Sequence, residues 1–352
     1  MARRPISQRF IRARLELLLD EMTPQLAAAF RASIDDITSN VSLQRLVDAI
    51  ERRDYEAAIR ELYIEAAAFR PLDRAISAAY DAGGVDAVAT LPALTGPNGG
   101  RLVIRFDGRN PRAERWLARH SSQLITGITQ DMRIAARQHL VAGMQAGVNP
   151  RTSALSLVGR IDRATGRRVN GVIGLTSSQE RFVATAREDL LSGDPSRLRH
   201  YLTLNRRDRR FDRTILAAIR DSKPIDAATV ERITGRLSDS YLSLRGEVVA
   251  RTESLTALNA SRREAFEQAV EQGGLDRRNI VRYWSAAQDV RTRDTHSAMH
   301  GQEVGMDEPF VSPSGARMMY PGDTSLGASP SETIQCRCFH GVRVKQFVSE
   351  LE

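Results

Sequence analysis

The sequence predicts a mainly α-helical chain, with helical N-terminal and middle regions and a small α+β domain toward its C-terminal end. Three observations predict it. Apolar residues recur at three- and four-residue steps through most of the chain up to Gly273, the pattern of helices that bury one face. Aromatic residues are sparse at 5%, which suits helices packed through Leu, Ile, Val and Ala. Beyond Gly273-Gly274 the texture changes to short strands and turns.

The first stripe is Ile11, Leu15, Leu18, Met22, Leu26, Phe30, Ile34 and Ile37. Pro24 reads as a restart of that helix, because proline suits a first turn better than an interior. Further helices are expected over Leu43–Ile50, Tyr55–Phe69 and Leu72–Tyr80, the last stopped by Gly83-Gly84. Pro92–Gly100 is the clearest linker, and Arg101–Phe106 alternates like a short strand. Asn110-Pro111 caps a long helix ending near Gly147, and Asn149-Pro150 opens the next. Arg163–Gly174 is loop or hairpin, Ser177-Ser178-Gln179-Glu180 fits a capping box opening a helix to about Leu191, and another helix surrounds Ile215–Ile219.

The longest stripe holds Val230, Ile233, Leu237, Tyr241, Leu244, Val248, Leu255 and Leu258, and Arg251 falls on it. A guanidinium at a core-facing position calls for an acidic or carbonyl partner, unless it snorkels at the stripe's edge. After the glycines, Asn279–Ser285 reads as a strand, Arg291–Met299 as a helix, Phe310–Val311 and Arg317–Tyr320 as a hairpin, and Ile334–Val344 as a final strand.

At 352 residues, two or three packed units are expected. The boundaries suggest a helical docking module over 1–92, a helical middle region over 101–245 and the α+β domain over 246–347. No apolar run approaches a membrane span. Arg9, Arg12 and Arg14 break the first apolar pattern too early for a secretory leader, so a cytosolic origin is expected. The net charge is +8 and nearly all of the positive charge is arginine, which favours nucleic acid or an acidic partner. The densest run, Arg206-Arg207-Asp208-Arg209-Arg210, makes Arg206, Arg207, Arg209 and Arg210 the candidate nucleic-acid contacts; a solvated or internally paired face is the alternative. No glycine-rich phosphate loop with a following Lys-Ser/Thr occurs, which argues against an ATP-driven motor.

Three of six histidines and both cysteines lie beyond residue 290. If residues 336–338 form a strand, Cys336 and Cys338 project to one face. If residues 291–300 are helical, His296 and His300 lie one turn apart. Two imidazoles and two thiolates suit zinc in a closed structural site, with Asp289 or His340 able to replace either histidine. A buried thiol pair beside ordinary surface histidines is the other reading. A nucleophilic cysteine is disfavoured, since nothing in the sequence marks a pKa-lowering environment for either thiol.

The run from Trp284 through Asp289 and Arg293 to His296 resembles the phage Mu protein F-like minor head family. So do His300-Gly301-Gln302, Phe310, Tyr320-Pro321-Gly322-Asp323, Glu332-Thr333-Ile334-Gln335-Cys336-Arg337-Cys338, and the upstream Arg251-Thr252-Glu253. The likeness is strong over Glu247–Val342 and looser over the helical stretch from Trp116 to Tyr241. Gln335 stands where the family usually has Asn, and His300 where other members often carry another polar residue. The resemblance implies a low-copy virion protein of the capsid interior or portal region, acting in head morphogenesis and made in a bacterial cytoplasm. Its partners would be the portal and other head proteins, with nonspecific DNA contact as an accessory property. It also implies that Asp289, Arg293, His296, Glu332, Cys336 and Cys338 form a folding centre or a metal site, with Arg251, Glu253, Trp284 and Asp323 as structural motif residues. Catalysis is not expected. The alternative is an enzymatic effector carried by the particle, performing ADP-ribosyl transfer or metal-dependent hydrolysis, because similar domains also occur joined to toxins.

Overall fold

Helices dominate the chain. The computed structural model describes residues 7–91, 103–166, 168–273 and 277–344, so the linker Pro92–Gly100 and the first two residues of the expected strand lie outside the described residues. The helices are α1 (Gln8–Asn40), α2 (Leu43–Glu51), α3 (Tyr55–Arg60), α4 (Arg70–Ala89), α5 (Pro111–Gln145), α6 (Pro150–Val158), α7 (Ser177–Ser192), α8 (Pro195–Thr203), α9 (Asp212–Asp221) and α10 (Ala227–Gly273), with the short α11 (Asp294–Ala298) and α12 (Pro330–Thr333) near the end. The strands are β1 (Arg160–Ile161), β2 (Arg168–Val169), β3 (Ile280–Ser285), β4 (Glu303–Gly305), β5 (Phe310–Val311), β6 (Arg317–Met318) and β7 (Phe339–Val344).

Two compact units emerge, each gathered from discontinuous stretches. One joins residues 1–27, 72–121 and 247–352; the other joins 28–71 and 122–246. The stretch expected to be a separate N-terminal module is thus divided between them.

In the first unit β3 is the central strand of a three-stranded antiparallel sheet in the order β4-β3-β7, and all six of its residues are buried. Its register sets Trp284 opposite His340 and Arg282 opposite Val342. Leu15 and Leu19 of α1, Leu255 and Leu258 of α10, Trp284, Phe310, Cys336 and Cys338 share one hydrophobic core. Each fully buried Leu or Phe contributes about 1.5–3 kcal/mol, so the opening helix is part of the C-terminal domain's core. A second cluster sets Ala87 against Phe266, Ile280 and Met306.

In the second unit the helices are held by caps that the sequence announces. Asn149 accepts from the Arg151 N–H, and a reciprocal capping box joins Thr176 and Gln179, one residue earlier than the Ser177 box expected. Phe30 packs on Phe69, and the buried Arg245 donates to the Gly174 carbonyl at 2.9 Å and pairs with Asp131.

Several local expectations change for stated reasons. Pro24 lies inside an unbroken α1: the buried stripe on both sides of it outweighs one lost backbone bond. Gly83-Gly84 do not stop α4, which runs to Ala89. A Cβ on Gly83 would lie 2.4 Å from Ser261 Oγ, and one on Gly84 would lie 2.3 Å from the Phe106 ring, so both glycines serve close approach. Residues 103–106 form no strand; Gln272 and Gln268 of α10 bond both backbone groups of Arg105 and Asp107, replacing a strand partner. Tyr55–Phe69 splits into α3 and a separate 3-10 turn at Ala66–Phe69, with Tyr63 at φ 49° between them. The final strand starts only at Phe339.

Candidate metal centre

The centre is built on the first unit from three elements, each fixed by its own backbone. Gln335 adopts φ 53°, a conformation costly for a non-glycine residue, and the Cys336 N–H donates to the Thr333 carbonyl. The turn is pinned to α10, where Thr252 Oγ1 accepts from the Gln335 N–H and the Asn259 amide donates to the Cys338 carbonyl at 3.2 Å. Arg293 donates to the Ile334 carbonyl. The two thiols therefore do not stand on a strand, as expected; they meet because the turn directs the Cys338 N–H at Cys336 Sγ, 3.5 Å away.

The helix expected over Arg291–Met299 contracts to α11, which delivers His296. Its Nδ1 lies 3.5 Å from Cys336 Sγ and 3.4 Å from Cys338 Sγ. Tetrahedral zinc with ordinary Zn–S and Zn–N lengths sets sulfur and nitrogen ligands roughly 3.6 Å apart, so these separations are those of a coordination edge. The three residues are 0–1% exposed, and their donor atoms lie within 4.8 Å of one another. This His/Cys cluster can hold a metal ion.

Glu332 completes the surroundings. Its Oε2 lies 2.8 Å from His296 Nε2, close enough for an ion pair but angled off a straight hydrogen bond, and Thr295 and Ser314 hydroxyls donate to the same carboxylate. Burial pushes the Glu332 carboxyl up, but the Ser314 bond, the His296 charge and the Thr295 bond together hold it below the usual range. With the carboxylate behind Nε2, the Nδ1 lone pair is left for the sulfurs, the arrangement that orients metal-bound histidines. The thiols share their protons unequally. The bond from Cys336 draws Cys338 down to about 5, helped by His296, while burial pushes Cys336 up. The buried Trp284 indole N–H finds no well-aligned acceptor and adds to the stabilisation of the Cys338 thiolate; its ring packs edge-on against His296.

The other candidate ligands stand apart from this cluster. Asp289 is exposed and engaged by the Arg337 guanidinium, which draws its carboxyl down to about 2. His300 is exposed, lies beyond the end of α11, and accepts the Ala286 N–H at 3.2 Å. His340 is fully buried, bonded to the Asn259 carbonyl, and burial drives its pKa down.

The motif residues divide likewise. Glu253 pairs with His120, which stacks on Trp116. Asp323 caps its own loop through the Met319 and Ser325 N–H groups. Arg251 is half-buried and forms no ion pair among the described residues. The buried guanidinium of the stripe is Arg262, four residues after Leu258 and seven after Leu255; it pairs with Asp86, which also holds Arg14. Extending the stripe by one turn would have found it. Arg282 carried no such signal: it is fully buried in β3, and only carbonyls of Gly305, Glu308 and Met319 receive it. Of the basic run, Arg207 is forked onto Asp212 and Arg210 is bound to Asp208, while Arg206 and Arg209 are exposed.

Residues 218–340 match the Phage Mu protein F like protein family. Minor head protein GP7 of Bacillus phage SPP1 is 32% identical over 108 residues, 31% of this chain and 32% of that protein. The NAD(+)–arginine ADP-ribosyltransferase EFV of Enterococcus faecalis is 35% identical over 94 residues, 26% of this chain and 17% of that protein. The chain thus spans about a third of the first relative and a sixth of the second. No solved structure gives a significant match. Through residues 218–340 the chain belongs to the Phage Mu protein F like family.

Proposed function

We propose that the chain is a phage minor head protein acting in head morphogenesis, placed in the capsid interior near the portal, with a C-terminal domain stapled by zinc on His296, Cys336 and Cys338. The family match, together with the likeness to a minor head protein, carries the first part. The buried imidazole–dithiol group carries the second, since donors closed from solvent suit a structural ion. Partners on this reading are the portal, other head proteins and, nonspecifically, packaged DNA.

Mass spectrometry of purified particles tests the assignment: the chain is expected in mature or precursor heads, and its absence from both overturns it. Zinc per chain tests the staple. Wild-type protein is expected to carry near-stoichiometric metal and Cys336→Ser with Cys338→Ser none; equal, near-zero occupancy in both leaves the thiols as core residues. Metal removal should open amides of β3 and β7 to hydrogen exchange before those of α7 and α8.

An enzymatic reading has one specific observation in its favour. Cys338, His296 and Glu332 follow the order thiol, imidazole, carboxylate, the order of nucleophile, base and orienting group. Burial of both sulfurs favours the metal instead. Turnover of NAD or a peptide substrate that is lost in His296→Ala would reverse that preference.

A further inference from the structure

In the unit built from residues 28–71 and 122–246, a cleft of about 290 Å³ is lined by Asn170, Arg210, Phe211, Arg232 and Arg236. Arg232 and Arg236 stand four residues apart on α10, so their side chains rise from one face and repel each other. Gly235 lies between them, and Asn170, at φ 64°, sits so close that a Cβ at position 235 would lie 2.6 Å from its side chain. The Asn170 backbone N–H donates to Asp239 at 2.7 Å, and its amide nitrogen reaches the Gly235 carbonyl and the second Asp239 oxygen. The floor of the cleft is therefore built and held.

The acids around it are already engaged. Asp208 holds Arg210, Asp239 holds Asn170, and Asp162 accepts the N–H groups of its own turn. Arg232 donates to Thr229 Oγ1, and neither Arg232 nor Arg236 forms an ion pair among the described residues. Arg206, Arg209 and Arg213 are exposed on the adjoining segment. Guanidinium forks match phosphate oxygens, and an aromatic ring beside them offers a face to an unstacked base.

We propose that this cleft binds a strand of nucleic acid, with phosphates on Arg232 and Arg236 and a base laid against Phe211. The ring favours a single strand over a duplex, whose bases stay stacked. The proposal rests on the reading of the chain as a head protein that meets packaged DNA.

Fluorescence anisotropy of the full chain with a labelled single-stranded oligonucleotide, and separately with its duplex, tests it across a salt series. Arg232→Gln with Arg236→Gln should weaken strand binding about tenfold or more and reduce the slope of log affinity against log salt by about 1.4, or ~0.7 per phosphate released. Phe211→Leu should weaken the single strand roughly fivefold or more and leave the duplex unchanged. Arg70→Gln with Arg74→Gln removes the same charge at the same spacing from exposed positions on α4 and should change little. Equal losses from both arginine pairs, or strand binding that survives in the cleft variant, overturn the cleft while DNA contact stands. Wild-type protein that binds neither nucleic acid at low salt overturns both.

Discussion

The two units satisfy their buried polar groups by different means. In the unit of residues 28–71 and 122–246, partners are mostly near in sequence: Asn149 caps α6, Thr176 and Gln179 cap α7, Asp194 caps α8. In the other unit, partners come from far apart. Arg12 reaches Ser285, Asp86 holds Arg14 and Arg262, Trp116 donates to Tyr320, and Arg282 finds carbonyls beyond residue 304. The difference teaches that residues 218–340, though recognisable as a family segment, do not contain their own core. The opening turns of α1 and the end of α4 supply part of it, so the long-range unit should be the more fragile to a single lost partner.

The largest expected effect tests that fragility directly. Asp86→Ala leaves the Arg262 guanidinium, 1% exposed, without its carboxylate. Removing one partner of a buried pair costs about 3–5 kcal/mol. Urea unfolding should show a loss of this size, and hydrogen exchange should place it in β3 and β7. A loss below about 1 kcal/mol would mean that the carbonyl of His340, which also accepts from Arg262, satisfies the charge alone.

Glycines give the comparison a matched pair. Gly84→Ala drives a methyl group into the Phe106 ring and should cost about 1–3 kcal/mol. Gly127→Ala, on the exposed face of α5 with nothing within 4 Å, should stabilise by about 0.5–1 kcal/mol through the unfolded chain. Thermal melts of the two variants should move in opposite directions. Melts that move together would show that helix propensity, rather than close approach, governs both sites.

The same contrast explains how much was legible in the sequence. The helices and the caps at Asn110, Asn149 and the start of α7 were readable because each depends on residues within one turn. The grouping of His296 with Cys336 and Cys338 was readable from residue type and resemblance, but the geometric reason was not: the thiols converge through a turn at Gln335. His300 and Asp289 failed to join because α11 is too short to align two histidines and Arg337 lies nearer to the carboxylate. The partner of Arg262 lies 176 residues away, and no local pattern could have named Asp86. Gly83-Gly84 misled for the same reason, since their purpose is visible only against α10 and Phe106.

The smallest expected effect belongs to Asp239 in the locally capped unit. Burial raises its pKa above the ordinary aspartate value, against the Asn170 N–H and the charges of Arg236 and Arg31. A raised carboxyl binds protons more tightly in the folded than in the unfolded chain. Its contribution is therefore fully present below the unfolded value of about 3.9 and lost as pH rises through the folded value. Asp239→Asn keeps an oxygen for the Asn170 N–H and removes the charge that burial opposes. Urea midpoints should coincide for variant and wild type near pH 3.5 or below, roughly the unfolded range, and the variant should pull ahead toward neutral pH. A constant difference at every pH would assign the effect to packing, and a variant less stable at neutral pH would show that the two arginines outweigh burial. In either case even this unit would depend on a charge partner distant in sequence, and the contrast between the two units would narrow.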